Sequence, residues 1–274
     1  MEFTWRYDHA TPRKLRSALK MSGGTSSLMN HGGQMLINGE PKWAVDLVQP
    51  GDEYSIVIPP EEANDHVDES TAPITIAYED RDFLVLNKPA GVATVPAHNV
   101  PVADSLVNRV KHYYREQGYE NQVTHVATRL DKDTSGLVVF PKHRFAHAVL
   151  DRQLKRHEVK KNYYALVSGR LHTQHGYIDA PIRRDPASFV KREVAADGKD
   201  SVTEYWLAQA QAERSLVRIR LHTGRTHQIR VHFSFLGHPL VGDEMYGAPA
   251  GSPLIDRQAL HCYWMQFYSP FKEQ

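Results

Sequence analysis

The strongest chemical signal in the chain is the segment Arg129-Leu130-Asp131-Lys132-Asp133-Thr134-Ser135-Gly136-Leu137. It is a polar loop that runs into the apolar stretch Leu137-Val138-Val139-Phe140. A compact polar loop entering a buried strand is a common seat for chemistry. Asp131 is the candidate, since it sits two residues after an arginine and just before a Thr-Ser-Gly turn. Taken locally, an Asp ahead of Thr-Ser-Gly is more often a turn-capping residue, so the loop alone leaves both readings open. A second concentration lies at Leu221–His232, where Gly224-Arg225-Thr226-His227-Gln228-Ile229-Arg230 is polar at every position but one.

Elements to position these residues can be read from periodicity. Ser105 can cap a helix through Leu106, Val110 and Tyr114, and Ala146, Val149, Leu150 and Leu154 make one face of a helix near 144–157. Strands are expected at Ile74–Ala77, Phe83–Leu86, Tyr163–Val167, Val202–Leu207 and Leu216–Leu221, and Thr223–Thr226 is a turn that starts a helix bearing Ile229, Phe233 and Leu236. Strands mixed with scattered helices, without a regular βαβ rhythm, predict an α+β fold. Ahead of them, Thr11-Pro12 opens a short helical pattern with Leu15, Ala18 and Leu19. Met35-Leu36-Ile37 then leads into the tight turn Asn38-Gly39, and Gln49–Asp52 is a turn before the strand Tyr54–Ile58. The acidic, apolar-poor stretch that follows Pro59-Pro60 reads as a linker. The expected organisation is therefore a small domain over 1–60, a linker over 61–73 and a main domain over 74–274.

The chain has 274 residues, enough for a substantial core. Its net charge of +1 hides an asymmetry, with −5 over residues 1–73 and +6 over the rest. A basic body suggests a polyanionic partner, and the stretch from Lys142 to Lys161 has Lys142, Arg144, Arg152, Lys155, Arg156, Lys160 and Lys161 against Asp151 and Glu158. A charge cluster of this kind can equally be a solvated helix face. The single cysteine, Cys262, excludes an internal disulfide and points to a reducing compartment. No apolar run approaches membrane-spanning length, and Met1–Arg6 lacks the plan of a signal peptide. The expectation is a cytoplasmic protein.

Several separated motifs, in order, resemble the RluA/RluD-type pseudouridine synthases, which modify uridines in structured RNA. They are Leu86–Gly91, Arg129–Leu137, Lys161-Asn162-Tyr163, Leu221–His232, Gly237–Asp243 and Leu260-His261, and the resemblance covers roughly residues 74 to 274. It implies a catalytic domain with a central antiparallel sheet and an active-site cleft across it. It implies cofactor-free isomerisation of uridine in RNA, ribosomal RNA foremost and transfer RNA next, by a monomer with no bound metal and no membrane association. Asp131 resembles the catalytic carboxylate, Arg225 the arginine that pairs with it, and Tyr163 the active-site tyrosine that can stack on the base or help move its C5 proton. Leu260 resembles the apolar residue packed against the base. Arg129, Lys88, Lys161 and Arg230 are assigned to substrate binding. The N-terminal unit is similar in outline to the small alpha-L RNA-binding domain, although its second-helix region, Gly24–Asn30, carries no basic residue.

Two positions depart from the family pattern: Thr128 and Val95 stand where histidines are common. Asp131-Lys132-Asp133-Thr134 also matches the Asp-x-Asp-x-Thr pattern of haloacid-dehalogenase-type phosphatases, but those place the first Asp at the end of an apolar strand, whereas here the apolar run follows the motif. His222, His227 and His232 invite a zinc reading, yet their spacing is wrong for one helical face. A non-enzymatic RNA-binding module would account for the basic body without using Asp131.

Overall fold

The computed structural model describes residues 1–19, 32–61, 67–96, 104–251 and 254–271. Its N-terminal part contains β1 (Glu2–Arg6), β2 (Arg13–Lys14), α1 (Leu15–Ala18), β3 (Gln34–Ile37), β4 (Glu40–Pro41), β5 (Leu47–Val48) and β6 (Glu53–Val57). There follow β7 (Ile76–Glu79), β8 (Phe83–Lys88), α2 (Leu106–Glu116), β9 (Ser135–Pro141), α3 (Arg144–Lys155), β10 (Lys160–Ser168), β11 (His175–Asp179), β12 (Ile182–Arg184), β13 (Arg192–Val194), β14 (Val202–Ala210), β15 (Arg214–Leu221), α4 (Gln228–Phe235) and β16 (Leu260–Gln266). The fold is α+β, as the mixed periodicities predict.

Eight strands form one sheet in the order β11-β14-β15-β10-β16-β9-β8-β7. The expected antiparallel sheet is in fact mixed. The C-terminal strand β16 inserts between β9 and β10 and runs parallel to β9, with His261 beside Ser135 and Cys262 beside Gly136. A parallel neighbour needs a long crossover, which the whole chain from β10 to β16 supplies. At this seam Gly136 has φ +116, and a Cβ there would collide with the Cys262 backbone. Gly136→Ala is therefore expected to lower stability by roughly 3 kcal/mol or more, read as a fall in melting temperature with the wild type as reference.

Alternation within the strands divides the core. Leu84, Leu86, Val138 and Phe140 pack on Leu106, Val110 and Tyr114 of α2. The intervening Phe83, Val85 and Val139 pack on Ala146 and Leu150 of α3. Covered on both faces, β8 and β9 are apolar almost throughout, as the run Leu137–Phe140 requires. Farther along the sheet, Tyr163, Ala165, Val217, Ile219, Leu260 and Cys262 meet Ile229 and Phe233 of α4.

The N-terminal part has its own four-stranded sheet, β1-β6-β3-β4. The Asn38-Gly39 turn forms as expected, with φ of 52° and 81°, the paired left-handed values that such hairpins need. Among the described residues the predicted helix is a single turn, α1, burying Leu15. The region Gly24–Asn30 lies outside the described residues. Strand β1, which was not foreseen, pairs with β6. It also docks the unit on the rest of the chain: Phe3 stands edge-on to Phe145, and Trp5 Nε1 donates to Pro270 O at 3.2 Å.

The acidic segment expected to be a linker is hydrogen-bonded to α2 and its flank where it is described. Asp68 O accepts from Asn108, Glu69 pairs with Arg115 at 2.9 Å, and Ser70 donates to Asp104, so its charge is spent against α2. Glu61 is buried and receives the Arg144 backbone N–H at 2.7 Å, with the Arg144 guanidinium at 3.0 Å and His125 at 3.2 Å. Burial raises its carboxyl, but these partners outweigh it and bring the pKa from 4.5 down to about 2. A depressed carboxylate adds stability above its unfolded pKa, and that stability disappears as pH falls through the folded value. Glu61→Gln should thus cost about 3 kcal/mol at neutral pH. The gap to wild type should close between pH 4.5 and about 2 in denaturant titrations.

Candidate active site

Asp131 sits in the loop that enters β9, and that loop is pinned at several points. Thr128 Oγ1 accepts the Val139 N–H at 3.1 Å. Thr94 Oγ1 donates to Leu130 O at 2.9 Å and accepts the Leu130 N–H at 3.2 Å. Thr134 N donates to Asp131 O at 3.1 Å, and Arg257 donates to Asp133 O. Lys88, expected to bind substrate, instead is fully buried beneath the loop and donates to Pro89 O, Val92 O and Lys132 O at 2.7–2.8 Å. All three ammonium protons are used, and burial lowers its pKa to about 8. Lys88 is a clamp that joins the Lys88–Val92 turn to the Asp131 loop.

The opposite wall is the start of α4. Gln228 organises the turn before it: its amide donates to Val202 O and Thr203 Oγ1, and its Oε1 accepts from Thr223 and from the Arg225 N–H. His227 takes the left-handed conformation, φ 56°. Its Nδ1 lies 2.8 Å from the Tyr246 hydroxyl and its Nε2 3.8 Å from Asp131 Oδ2. Burial lowers the His227 pKa, against a pull upward from Asp131.

The arginine that meets Asp131 is Arg230, not Arg225. Arg230 Nη1 donates to Asp131 Oδ2 at 3.1 Å, while its Nε and Nη2 form a fork on Asp243 at 2.6 and 2.8 Å. Its guanidinium also stands 4.9 Å over the Tyr246 ring. Arg225 lines the same pocket, but its Nε donates to Asp200 O at 3.1 Å. The reason is position: Arg225 lies in the turn before the helix, whereas Arg230 lies within α4 on its buried side. The expected substrate-binding role of Arg230 is thereby replaced by a pairing role.

Tyr163 on β10 and Leu260 at the start of β16 complete a narrow pocket of about 80 Å³ that also contains Asp131, Arg225, His227 and Arg230. Tyr163 is buried, and burial first, then Cys262 and Asp131, raise its phenol pKa well above 10. It therefore remains protonated. Beside this pocket runs a cleft of about 930 Å³ whose walls include Arg129, Lys132, Lys155, Lys161 and Arg225. Arg129 is exposed at its rim and Lys161 half-buried in its wall. The chain thus surrounds one carboxylate with cations, in a pocket with an aromatic and an aliphatic wall, next to a basic groove.

Only part of the basic stretch 142–161 reaches that groove. Lys142 pairs with Glu79 at 2.9 Å and Arg144 with Glu61, whereas Lys155 and Lys161 line the cleft. The three histidines of the zinc reading have separate partners: His222 meets Glu204, His227 meets Tyr246, and His232 meets Thr203 and Ala180 O. Among the described residues no group of His, Cys, Asp and Glu is arranged to hold a metal ion. The phosphatase reading fails on topology, since residues 121–131 form no strand and β9 follows the motif.

Residues 82–235 match the model of the family described as RNA pseudouridylate synthase. The chain belongs to this family. It is a pseudouridine synthase of the RluA/RluD type, and hence an isomerase that acts on RNA. It is 40% identical over 243 residues to an uncharacterized RNA pseudouridine synthase of Bacillus subtilis, YjbO, a match covering 89% of this chain and 84% of that one. It is 39% identical over 210 residues to the ribosomal large subunit pseudouridine synthase D of Vibrio parahaemolyticus, covering 72% of this chain and 64% of the relative. Among solved structures it is similar to human RNA pseudouridylate synthase domain containing 1, with TM-score 0.59 and 28% identity over 72% of this chain and 79% of the other. No helix among the described residues of this pseudouridine synthase is long and apolar enough to cross a membrane.

Membership in the family gives the two departures a physical meaning. Thr128 is buried and caps the backbone of β9, so its hydroxyl does loop-fixing work, and Val95 lines the basic cleft. Asp243, the last residue of the Gly237–Asp243 motif, makes the buried fork that orients Arg230. A signal was available, in that an Asp following Pro-Leu-Val-Gly near an invariably charged Arg is a natural ion-pair partner. Nothing in the spacing, however, said which arginine.

Proposed function

We propose that this enzyme isomerises uridine to pseudouridine in large-subunit ribosomal RNA, with Asp131 as the nucleophile. One observation carries the chemical part: Asp131 lies in the pocket between Tyr163 and Leu260 with Oδ2 held by Arg230, while its Oδ1 makes no hydrogen bond among the described residues. The held oxygen orients the carboxylate, and the other is available to attack. In the reaction Oδ1 bonds to C1′ as the C1′–N1 bond breaks, leaving the electron pair on uracil. The base turns, C5 bonds to C1′, and the ester bond to Asp131 breaks with return of its electrons to the carboxylate. C5 then loses its proton and N1 gains one, so the RNA keeps its composition. Tyr163, which stays protonated, offers a flat face to the turning base and a hydroxyl for proton relay, and Leu260 closes the other side.

A base in folded RNA must leave its stack to reach this pocket, and the cationic cleft suits the phosphates on either side of it. The large-subunit assignment rests on relatives named as ribosomal large subunit pseudouridine synthase D. Such a substrate would place the enzyme in the cytoplasm. One chain supplies every group of the pocket, so a monomer suffices. Purified enzyme should form pseudouridine in protein-free large-subunit RNA taken from a strain lacking the gene. Conversion confined to small-subunit or transfer RNA would overturn the assignment of target while leaving the chemistry standing.

A further inference from the structure

The catalytic pocket uses one face of the sheet, and the reverse face of β10, β14, β15 and β16 is lined with rings and cations. Strand alternation puts them there: Val217 and Ile219 point into the core, so Arg218 and Arg220 point out, and Tyr164, Trp206 and Trp264 share that outer side. Cross-strand pairing sets these residues in two rows. His175, Trp206, Arg218 and Tyr164 lie side by side in one; Glu204, Arg220, Asn162 and Trp264 lie in the next. His175 stacks on Trp206 with rings 5.0 Å apart, Arg218 lies 4.6 Å over Trp206, and Tyr164 stacks on Tyr263 at 4.3 Å.

We infer that this outer face is a second RNA-binding surface, which holds a single-stranded segment of the substrate by base stacking on Trp206 and Trp264 and by phosphate contact with Lys160, Arg218 and Arg220. Trp264 is 37% and Tyr164 39% exposed, and solvent-facing rings on an open sheet offer stacking surface to any base. A groove of about 320 Å³ separates Trp206 from Trp264, with Lys160, Arg218 and Arg220 in its lining. Charge complementarity selects the occupant. These three cations make no ion pair with a carboxylate among the described residues, while the neighbouring Glu204 is buried and committed to Tyr177, His175 and His222. The surface is also continuous with the cleft. Lys161 lines the catalytic cleft and Lys160 the outer groove, so adjacent side chains at the start of β10 flank the path of a strand around the sheet.

This surface presupposes an RNA substrate but not the Asp131 mechanism, and the test separates the two by using a short oligoadenylate, which contains no uridine to convert. Binding would be followed by fluorescence anisotropy for wild type, Trp264→Ala and Arg220→Ala, with circular dichroism confirming that each variant is folded. Trp264→Ala should weaken oligoadenylate binding about tenfold. Arg220→Ala should weaken it and reduce the salt dependence by about one ion. Duplex RNA should be affected much less than the single strand by Trp264→Ala. The inference is overturned if folded variants bind oligoadenylate like wild type, if single and double strands lose affinity equally, or if the substitutions change only self-association of the protein.

Discussion

Asp131→Asn is expected to abolish pseudouridine formation, by at least about a thousandfold in single-turnover assays, while RNA binding changes little. The substitution keeps the size of the side chain and its ability to accept a hydrogen bond from Arg230, so the pocket should hold its shape. What it removes is the carboxylate oxygen proposed to bond to C1′. An amide is a far weaker nucleophile than a carboxylate, and the loss of a covalent intermediate returns the reaction to the barrier that it divides. The effect should fall on the chemical step, with the KM for RNA preserved, because the RNA contacts proposed for the cationic cleft do not involve the Asp131 carboxylate. A variant that binds RNA and does not modify it also excludes the reading of the chain as a simple RNA-binding module.

The second large effect is expected at Arg230. This side chain joins two carboxylates, with Asp243 bonded by a fork at 2.6 and 2.8 Å and Asp131 by the remaining nitrogen at 3.1 Å. A lysine has the charge but not the fork, and cannot hold both partners in this geometry. Arg230→Lys should therefore lower kcat about a hundredfold with a smaller change in KM. Arg230→Met should in addition leave Asp243 buried without its partner and cost about 3–5 kcal/mol in stability. Arg225→Ala is the internal contrast: its guanidinium is bonded to Asp200 O and not to Asp131, so kcat should fall by less than about tenfold. Steady-state kinetics and thermal melts of the three variants would check all of this. An Arg225 variant that behaves like the Arg230 variants would show that the pairing changes when RNA binds.

The comparison of these two arginines shows what can be read from sequence and what cannot. That Asp131, Tyr163 and Leu260 would line one pocket is legible because each sits at a fixed offset within a motif, and a strand or loop places such a residue almost by itself. Arg225 and Arg230 lie in one motif five residues apart, and only the point at which α4 begins decides which of them turns toward Asp131. Lys88 misleads for a related reason. A buried lysine is rare unless something pairs it, and the three carbonyls that do so come from two separate turns. The same limit applies to Lys142 and Arg144, whose partners Glu79 and Glu61 lie more than sixty residues earlier.

At the level of the fold, α2, α3, β10, β14 and β15 follow from plain periodicity with single-face burial. Strand β16 escapes notice because its outward residues include Tyr263 and Trp264, which blur the contrast between inner and outer faces. Missing it also hides the parallel seam with β9, and with it the reason why Gly136 must be a glycine. The acidic segment after Pro59-Pro60 has the composition of a linker, yet its charges are complementary to those on α2, a relation visible only once both are placed.

The most direct test maps pseudouridines at nucleotide resolution in large-subunit ribosomal RNA from cells lacking this gene and carrying either the wild-type gene or the Asp131→Asn variant at equal protein level. The account predicts that at least one pseudouridine disappears on deletion, returns with the wild type and stays absent with the variant. A pseudouridine restored by Asp131→Asn would contradict it.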